Sequence, residues 1–278
     1  MPERHLGLVT REEHPLDDDA VGRLADAMEA AVDIGRLLMD MPEAVGPAGA
    51  PPVRPARPAD PVRIGVARDP AFCFYYADNL ELLEGNGAQV VFFSPVSDAA
   101  PPPDLDGIYI GGGYPELFAA QLAANEPMRR AIRGFSLAGM PIYAECGGFM
   151  YLCRELRDQH GRSFPMAGCF PFETRMLPRL KALGYRGVQL ARETILGEGG
   201  AVIRGHEFHY SEMPDAHAAA ETVYRISGSD GSPKAMDGHA LRRTLGSYIH
   251  LHFGSAPQAA AALVASCRAY RTERIQAA

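Results

Sequence analysis

The chain has 278 residues, of which 47% are hydrophobic and 22% are charged, and its formal net charge is −7. This is the composition of a soluble globular protein with an ordinary core, and it lacks the basic surplus of nucleic-acid-binding proteins. No apolar run approaches the ~20 residues that cross a membrane, and the charged first residues lack the apolar segment of a secretory signal. We therefore expect a cytoplasmic protein that binds neither nucleic acid nor membranes.

The first 60 residues contain few predicted elements. The segment HLGLV, residues 5–9, predicts a short buried strand, and apolar residues at helical spacing predict one helix over residues 18–41. The stretch that follows, residues 46–61, is rich in Pro, Ala and Gly without periodicity, which is typical of an interdomain linker. We therefore divide the chain into three parts: residues 1–45, the linker 46–60 and a domain 61–278.

From residue 61 onward, short apolar runs alternate with helical segments. Strands are predicted at residues 62–67, 88–93, 107–110 and 140–144, and helices at residues 75–84, 116–123, 127–137 and 257–276. This alternation predicts an α/β fold with a parallel sheet that has helices on both faces. Three later stretches bounded by turn residues predict antiparallel strands at residues 185–192, 201–210 and 221–227.

The five cysteines are an odd number without CxxC spacing, which argues against a disulfide framework or a zinc ribbon. One of them, Cys146, follows a short apolar strand and precedes Gly147, Gly148 and an amphipathic helix. This order is typical of a nucleophile elbow, in which small neighbours allow the sharp turn and the helix N-terminus lowers the pKa of the thiol. The alternative is a buried cysteine in an ordinary turn. The other four cysteines have no such setting.

Three consecutive glycines, residues 111–113, follow the strand predicted just before them. Backbone without side chains can approach a ligand or a neighbouring loop closely. Because the Lys and Ser/Thr of a phosphate loop are missing, we interpret Gly112, Gly113 and Gly147 as backbone donors to an oxyanion at the cysteine. A plain tight turn is the alternative.

A cysteine that attacks an amide needs a general base, and histidine is the usual one. His250 and His252 alternate after a Gly-Ser turn, so on a strand both point to one face. We expect one of them to be the base and the other to be its neighbour, with a purely structural role as the alternative.

The segment RGHEFHY, residues 204–210, invites a zinc interpretation, but it has HExH spacing where zinc proteases have HExxH. Alternation along a strand places His206 on one face and Glu207 and His209 on the other, so three ligands do not come together. We therefore predict no metal site. Both histidines are interpreted as substrate contacts, with an ordinary place in a sheet as the alternative.

Five segments occur in the order seen in one enzyme family: RIGVARDPAFCFYY, GIYIGGGYPE, YAECGGFMYL, GHEFHYSE and SYIHLHF. From about residue 61 to its end, the chain resembles the cobyrinic acid a,c-diamide synthases, whose last part is a class I glutamine amidotransferase domain. The resemblance implies a flavodoxin-like α/β fold with a mostly parallel central sheet, flanking helices and extra antiparallel strands.

The resemblance also implies roles for single residues. Cys146 is expected to form a glutamyl thioester and His250 to be its base, with the glycines near Cys146 binding glutamine and its oxyanion. Many enzymes of the class have a triad Glu where this chain has His252, so the chain resembles the subgroup with a Cys–His pair. Further residues of these motifs are candidate substrate contacts or supports: Tyr114, Glu116, His206, His209 and His252.

In the family, an N-terminal P-loop half uses ATP and Mg²⁺ to activate tetrapyrrole carboxylates, and ammonia released from glutamine converts them to amides. The tetrapyrrole is a corrin precursor or, in related enzymes, hydrogenobyrinic acid, nickel-sirohydrochlorin or siroheme. Neither GxxxxGKS nor GxxxxGKT occurs in the 278 residues, so no cofactor is expected in this chain. Residues 1–45 resemble the end of the P-loop half, so the chain is either a truncated form or has a separate ATPase partner.

Two other functions stay open at this point. One is a stand-alone hydrolase of γ-glutamyl or peptide substrates on the same fold. The other is a degenerate module that binds a tetrapyrrole without catalysis, against which the intact Cys146 and His250 motifs argue.

Overall fold

The computed structural model describes residues 17–42, 60–214 and 220–276. They belong to two compact units, one within residues 1–55 and the other within residues 56–278. The strand predicted at residues 5–9 and nearly all of the predicted linker lie outside the described residues. The domain limits at residues 45 and 60 therefore stay a prediction.

Residues 17–42, the described part of the N-terminal unit, form two helices where the sequence predicts one. These are α1, Asp18–Ala31, and α2, Ile34–Asp40. Between them, the Asp33 side chain accepts the N–H of Arg36 at 2.9 Å and so caps a new helix. Aspartate is among the preferred N-cap residues. Because Asp33 caps a second helix, the apolar pattern is divided between two helices.

The second unit holds fourteen strands and five α-helices among its described residues. The strands are β1 Val62–Ala67, β2 Ala88–Phe93, β3 Gly107–Ile110, β4 Ile142–Glu145, β5 Glu155–Arg157, β6 Ser163–Pro165, β7 Glu173–Met176, β8 Ala182–Leu190, β9 Val202–His209, β10 Ser211–Glu212, β11 Glu221–Gly228, β12 Asp237–Leu241, β13 Thr244–Ser247 and β14 Ile249–Leu251. The helices are α3 Ala77–Gly85, α4 Ala119–Ala124, α5 Glu126–Leu137, α6 Gly147–Leu152 and α7 Gln258–Gln276, with 3-10 turns at Pro115–Phe118 and Phe253–Ser255.

Ten of these strands form one sheet, in the order β14-β9-β8-β11-β12-β13-β4-β3-β1-β2. Neighbours from β13 to β2 pair in parallel, whereas those from β13 to β14 pair antiparallel. The predicted α/β class is therefore confirmed, with the antiparallel strands added at one end of the parallel part. A smaller sheet has the order β10-β7-β5-β6.

Two predicted boundaries shift for local reasons. The strand predicted from residue 140 begins at Ile142, because Pro141 has no N–H to donate to a neighbouring strand. The helix predicted at residues 116–123 begins as a 3-10 turn with Pro115 at its first position, and α4 follows it.

The core lies on both faces of the parallel strands. Along β3, Ile108 and Ile110 pack into one apolar cluster and Tyr109 into the other, and Tyr143 of β4 lies on the same side as Tyr109. Because side chains alternate along a strand, Glu145 shares the face of the two tyrosines. The carboxyl end of β4 thus carries a buried acid directly before Cys146.

Candidate active site

Cys146 lies at the sharp turn between β4 and α6. Its backbone has φ 47° and ψ −106°, a conformation that non-glycine residues rarely adopt. The turn is held by two hydrogen bonds: the Cys146 N–H donates to Ser247 O at 2.7 Å, and the Cys146 carbonyl accepts from the Met150 N–H at 3.0 Å. The predicted elbow geometry is therefore present, with the thiol largely buried.

The two glycines after Cys146 let the elbow pack against the loop of residues 111–113. A Cβ atom at Gly148 would overlap the carbonyl oxygen of Ile110, and one at Gly147 would lie 3.0 Å from the backbone nitrogen of Gly113. The Gly148 N–H also donates to Gly111 O at 3.0 Å. Larger side chains would therefore separate the elbow from this loop.

The glycine loop packs closely on its other side as well. The Phe74 N–H donates to Gly112 O at 2.9 Å, and the Gly111 N–H donates to the Tyr75 hydroxyl at 2.8 Å. A Cβ atom at Gly113 would overlap the carbonyl of Ala71. The loop is thus tightly enclosed. These close contacts require glycine, which a plain tight turn alone does not explain.

His250 also packs against this glycine loop. It is buried, a Cβ atom at Gly112 would overlap its Cε1 atom, and its ring stacks on His206 with centroids 4.5 Å apart and planes 9° apart. The loop of residues 111–113 thus contacts His250 through Gly112 and the Cys146 elbow through Gly113. The structure brings both predicted reacting residues to one loop.

Burial sets the protonation of both groups. It raises the pKa of the Cys146 thiol to about 12, and the negative charge of Glu116 adds to this effect. The Gly147 N–H lowers that pKa, but burial and Glu116 outweigh it, so the predicted net lowering by the helix N-terminus is wrong for this state. Burial lowers the pKa of His250 to about 3, and His206 adds to the effect. The resting pair is therefore a thiol and a neutral imidazole.

Strand β9 lines the site. The backbone oxygen of Phe208 accepts from Cys146 Sγ at 3.8 Å, and His206 Nδ1 lies 2.7 Å from the Tyr76 hydroxyl. On the opposite face, His209 Nε2 lies 3.0 Å from Glu207 Oε1. The two histidines therefore occupy opposite faces of β9, as the alternation predicts.

The Glu207 side chain links His209 to Arg186. Its Oε2 atom accepts from Arg186 Nε at 2.7 Å. His209 binds Ser211 O through Nδ1 at 2.7 Å and stacks on Tyr248 with centroids 3.9 Å apart. Within residues 17–42, 60–214 and 220–276, no three His, Cys, Asp or Glu side chains are placed to hold a metal ion.

The remaining predicted residues lie around this centre. His252 Nε2 lies 3.1 Å from Oδ2 of the exposed Asp78, so His252 lies at the solvent-exposed rim of the site. Tyr114 is buried against the edge of Phe74, with centroids 5.1 Å apart, and Glu116 acts on the thiol through its charge. A cavity of about 510 Å³ opens beside His206; it is lined by Tyr76, Leu183, Gly184, Tyr185, His206 and Glu207.

Sequence reasoning missed the buried acid Glu145. Its Oε1 atom accepts from the Tyr143 hydroxyl at 2.6 Å and from the Leu251 N–H at 2.9 Å, and Oε2 accepts from the Tyr109 hydroxyl at 2.9 Å. Burial raises the pKa of Glu145 to about 7. The signal in the sequence was a charged residue at the end of an otherwise apolar strand, together with a tyrosine in each of two adjacent strands.

A family model described as a CobB/CobQ-like glutamine amidotransferase domain matches residues 63–258. The chain belongs to this family. Cobyrinate a,c-diamide synthase of Syntrophotalea carbinolica is 44% identical over 96% of this chain and 59% of its own length. The proteins of the same name from Dehalococcoides mccartyi and Salmonella typhimurium are 40% and 39% identical, over 94% and 93% of this chain. The chain spans 56 to 59% of the length of these relatives.

Solved structures of the same fold agree with the architecture. A Thermoplasma acidophilum protein assigned as a GMP synthase component matches 78% of this chain and 98% of its own with a TM-score of 0.52 and 14% identity. PurLQS from Thermotoga maritima has a chain that matches 76% of this one and 100% of its own with a TM-score of 0.51 and 17% identity. The described helices include none that is long and apolar enough to cross a membrane.

Proposed function

We propose that this chain is the cytoplasmic glutaminase part of an ATP-dependent cobyrinate a,c-diamide synthase, and that it releases ammonia from glutamine through a thioester on Cys146. One observation carries the proposal: Cys146 stands at a strained elbow, and the buried His250 packs against the same glycine loop. The names of the relatives support the acceptor, a cobyrinate with free acetate side chains.

The reaction follows from the neutral resting pair. As Sγ of Cys146 attacks the carboxamide carbon of glutamine, His250 takes the thiol proton, and the N–H groups of Gly113 and Gly147 bind the oxyanion. The imidazolium then gives its proton to the leaving nitrogen, and ammonia departs as the C–N bond breaks. Water, deprotonated by His250, hydrolyses the thioester to glutamate and restores the thiol.

The other candidate residues have supporting roles in this proposal. His206 covers the outer face of His250, while His209, held by Glu207, supports the wall of the site beside the thiol. Tyr114 and Glu116 follow the glycine loop and are proposed to contact the glutamine. His252 is proposed to support the rim through Asp78.

ATP and Mg²⁺ are assigned to a synthetase domain or a separate ATPase partner, because the glycine loop does not fit a nucleotide. It lacks the Lys and Ser/Thr of a phosphate loop, and protein atoms fill the space beside Gly112 and Gly113. In the complete reaction, the synthetase activates the tetrapyrrole carboxylate as an acyl phosphate, and the ammonia displaces phosphate to form the amide.

The test is ammonia release from glutamine by the purified chain and its Cys146→Ala variant. We expect a loss of at least ~10³-fold in kcat, because the nucleophile is removed. Cys153→Ala is the matched control, since Cys153 is also buried but lies at the far end of α6. Retention of full activity by Cys146→Ala would contradict the nucleophile. A preference for γ-glutamyl peptides over glutamine would instead favour the stand-alone hydrolase.

A second measurement separates the glutaminase from the synthetase. Added ATP should leave the rate of ammonia release unchanged, and the chain should hydrolyse no ATP. ATP hydrolysis that survives in Cys146→Ala would place a nucleotide site on this chain and contradict the assignment to a separate synthetase.

A further inference from the structure

Strand β14, which carries His250, is an edge strand of the ten-stranded sheet. Its inner edge pairs with β9, but the peptide groups on its outer edge are bound by side chains. The Leu251 N–H donates to Glu145 Oε1 at 2.9 Å, and the Leu251 carbonyl accepts from Asn79 Nδ2 at 2.7 Å. The Phe253 N–H donates to Asn79 Oδ1 at 2.7 Å. We call Glu145 and Asn79 the edge clamp.

Two buried tyrosines hold the edge clamp in place. Glu145 also accepts the hydroxyls of Tyr143 at 2.6 Å and Tyr109 at 2.9 Å, and Asn79 Nδ2 lies 3.4 Å from the Tyr109 hydroxyl. All four side chains are buried. Because buried polar groups are costly unless they are hydrogen-bonded, a fully connected network of this kind holds its members in one arrangement.

We propose that Glu145 and Asn79 are positioning residues of the glutaminase, which fix the backbone of Leu251 and thereby hold the His250 ring against Gly112 and towards Cys146. The proposal rests on the proposed function and explains how a site without a triad carboxylate orients its base. Position 252 holds a histidine directed to Asp78, so orientation comes through the backbone from the residue that directly precedes the nucleophile.

The placement of Glu145 favours this role over a general contribution to stability. The residue adjoins Cys146 in the chain and contacts the neighbour of His250 in space, so it links the two reacting residues directly. Burying a carboxylate raises its pKa and costs stability that an apolar side chain would not. A costly group at this place is expected where geometry matters more than stability.

The experiment compares Glu145→Met with Glu145→Gln. Methionine removes the acceptor for the Leu251 N–H while filling similar space, whereas glutamine keeps an acceptor oxygen. We expect kcat for glutamine hydrolysis to fall at least ~10-fold in Glu145→Met with KM changed less than ~3-fold, because a displaced base lowers catalysis more than binding. Glu145→Gln should lose no more than ~3-fold. Wild-type kcat in folded Glu145→Met, or an equal loss in Glu145→Gln, overturns the proposal.

The acid limb of the pH–rate profile distinguishes positioning from simple loss of folded protein. A loosened His250 ring becomes more hydrated, so its pKa rises towards the ordinary value and the limb moves to higher pH in Glu145→Met. The titratable groups that act on His250 are His206 and His209, both on β9, and neither is changed. A lower amplitude with an unmoved limb contradicts the positioning role.

Two further variants keep the test decisive. Asn79→Leu keeps a similar volume but neither donates to the Leu251 carbonyl nor accepts from the Phe253 N–H, so kcat should again fall ~10-fold even if Glu145→Met does not fold. The matched control is Asp106→Asn, which alters another buried carboxylate that accepts a strand N–H, from Arg63 at 2.9 Å. It should change stability and leave kcat unaltered.

Amide hydrogen exchange at Leu251 tests the clamp independently of glutamine hydrolysis. Exchange there should be at least ~10-fold faster in Glu145→Met than in wild type, because the buried N–H loses its acceptor. If the wild-type chain releases no ammonia while this difference is present, the proposed function fails and the clamp stands. Equal exchange in both proteins overturns the clamp whatever the activity.

Discussion

At the scale of single residues, burial keeps the thiol of Cys146 and the imidazole of His250, the proposed reacting groups, neutral. With the pKa of Cys146 raised to about 12 and that of His250 lowered to about 3, a standing thiolate–imidazolium pair is unfavourable at neutral pH. In the proposed mechanism, proton transfer therefore accompanies attack on the substrate. The neutral thiol is also protected from unspecific electrophiles and oxidants, which react with thiolates.

The pH dependence of alkylation tests this neutral pair. With iodoacetamide, the rate of Cys146 modification should be low at pH 7 and should rise about tenfold per pH unit up to pH 10 without a plateau, since only the thiolate reacts. Peptide mass spectrometry gives the rate at each pH, and free cysteine, which levels off above its pKa near ~8.5, is the reference. A plateau near pH 7 would reveal an ion pair and contradict the neutral state.

Gly112 makes a second residue-scale prediction. In Gly112→Ala the new Cβ atom overlaps Cε1 of His250, so the ring has to move, and kcat for glutamine should fall ~100-fold. Gly134→Ala is the matched control, because no atom lies within 4 Å of its added Cβ and alanine favours the helix there. Steady-state kinetics of both variants decide it: unchanged kcat in Gly112→Ala would show that the ring does not need this space.

At the scale of elements, local pattern predicted most of the parallel half. Strands β1 to β4 and helices α3, α5 and α7 follow from periodicity over a few residues, so their ends shift by only a few positions. The Cys146 elbow and the glycine loop were predictable for the same reason, because each lies within one short segment.

The edge clamp was not predictable in this way. Glu145 and Leu251 are separated by 106 positions, and their hydrogen bond exists only because β14 passes the end of β4 in the folded chain. Asn79 reaches the same strand from α3 across 172 positions. A polar residue in an apolar segment indicates that a buried hydrogen bond is present, but the local sequence does not identify the residue that forms the other half of it.

Helix α5 offers an element-scale prediction away from the site. Asn125 caps it by accepting the Met128 N–H at 3.4 Å, and its Nδ2 donates to Pro95 O at 2.9 Å and to Asp98 O at 2.8 Å. Asn125→Ala removes all three hydrogen bonds and should lower the free energy of unfolding by about 1–3 kcal/mol.

Urea unfolding measures this loss, and kcat per folded molecule should be unchanged. The control is Asn86→Ala, which removes one exposed hydrogen bond to Leu82 O at 2.8 Å and should cost less than about 1 kcal/mol. Equal losses in the two variants would show that the contacts to residues 95 and 98 contribute nothing.

At the scale of the whole molecule, two buried groups of the site have opposite effects on how the free energy of unfolding depends on pH. Burial lowers the pKa of His250, so its contribution is present above pH 6.5 and is lost as the pH falls. Burial raises the pKa of Glu145 from 4.5 to about 7, so its contribution is present below pH 4.5 and is lost as the pH rises through 7. The free energy of unfolding is therefore highest in a slightly acidic range. Protonation of His250 lowers it at more acidic pH, and ionisation of Glu145 lowers it at more alkaline pH.

The alkaline side of this balance can be isolated with Glu145→Gln, which cannot ionise. Between pH 5 and pH 8.5 the wild type should lose up to about 3 kcal/mol relative to the variant, because only the wild type has to ionise a buried carboxylate. Urea unfolding at several pH values gives the difference, in which the titrations shared by both proteins cancel. A constant difference across this range would mean that Glu145 is ionised throughout, so its hydrogen bonds from Tyr109, Tyr143 and Leu251 would then outweigh its burial.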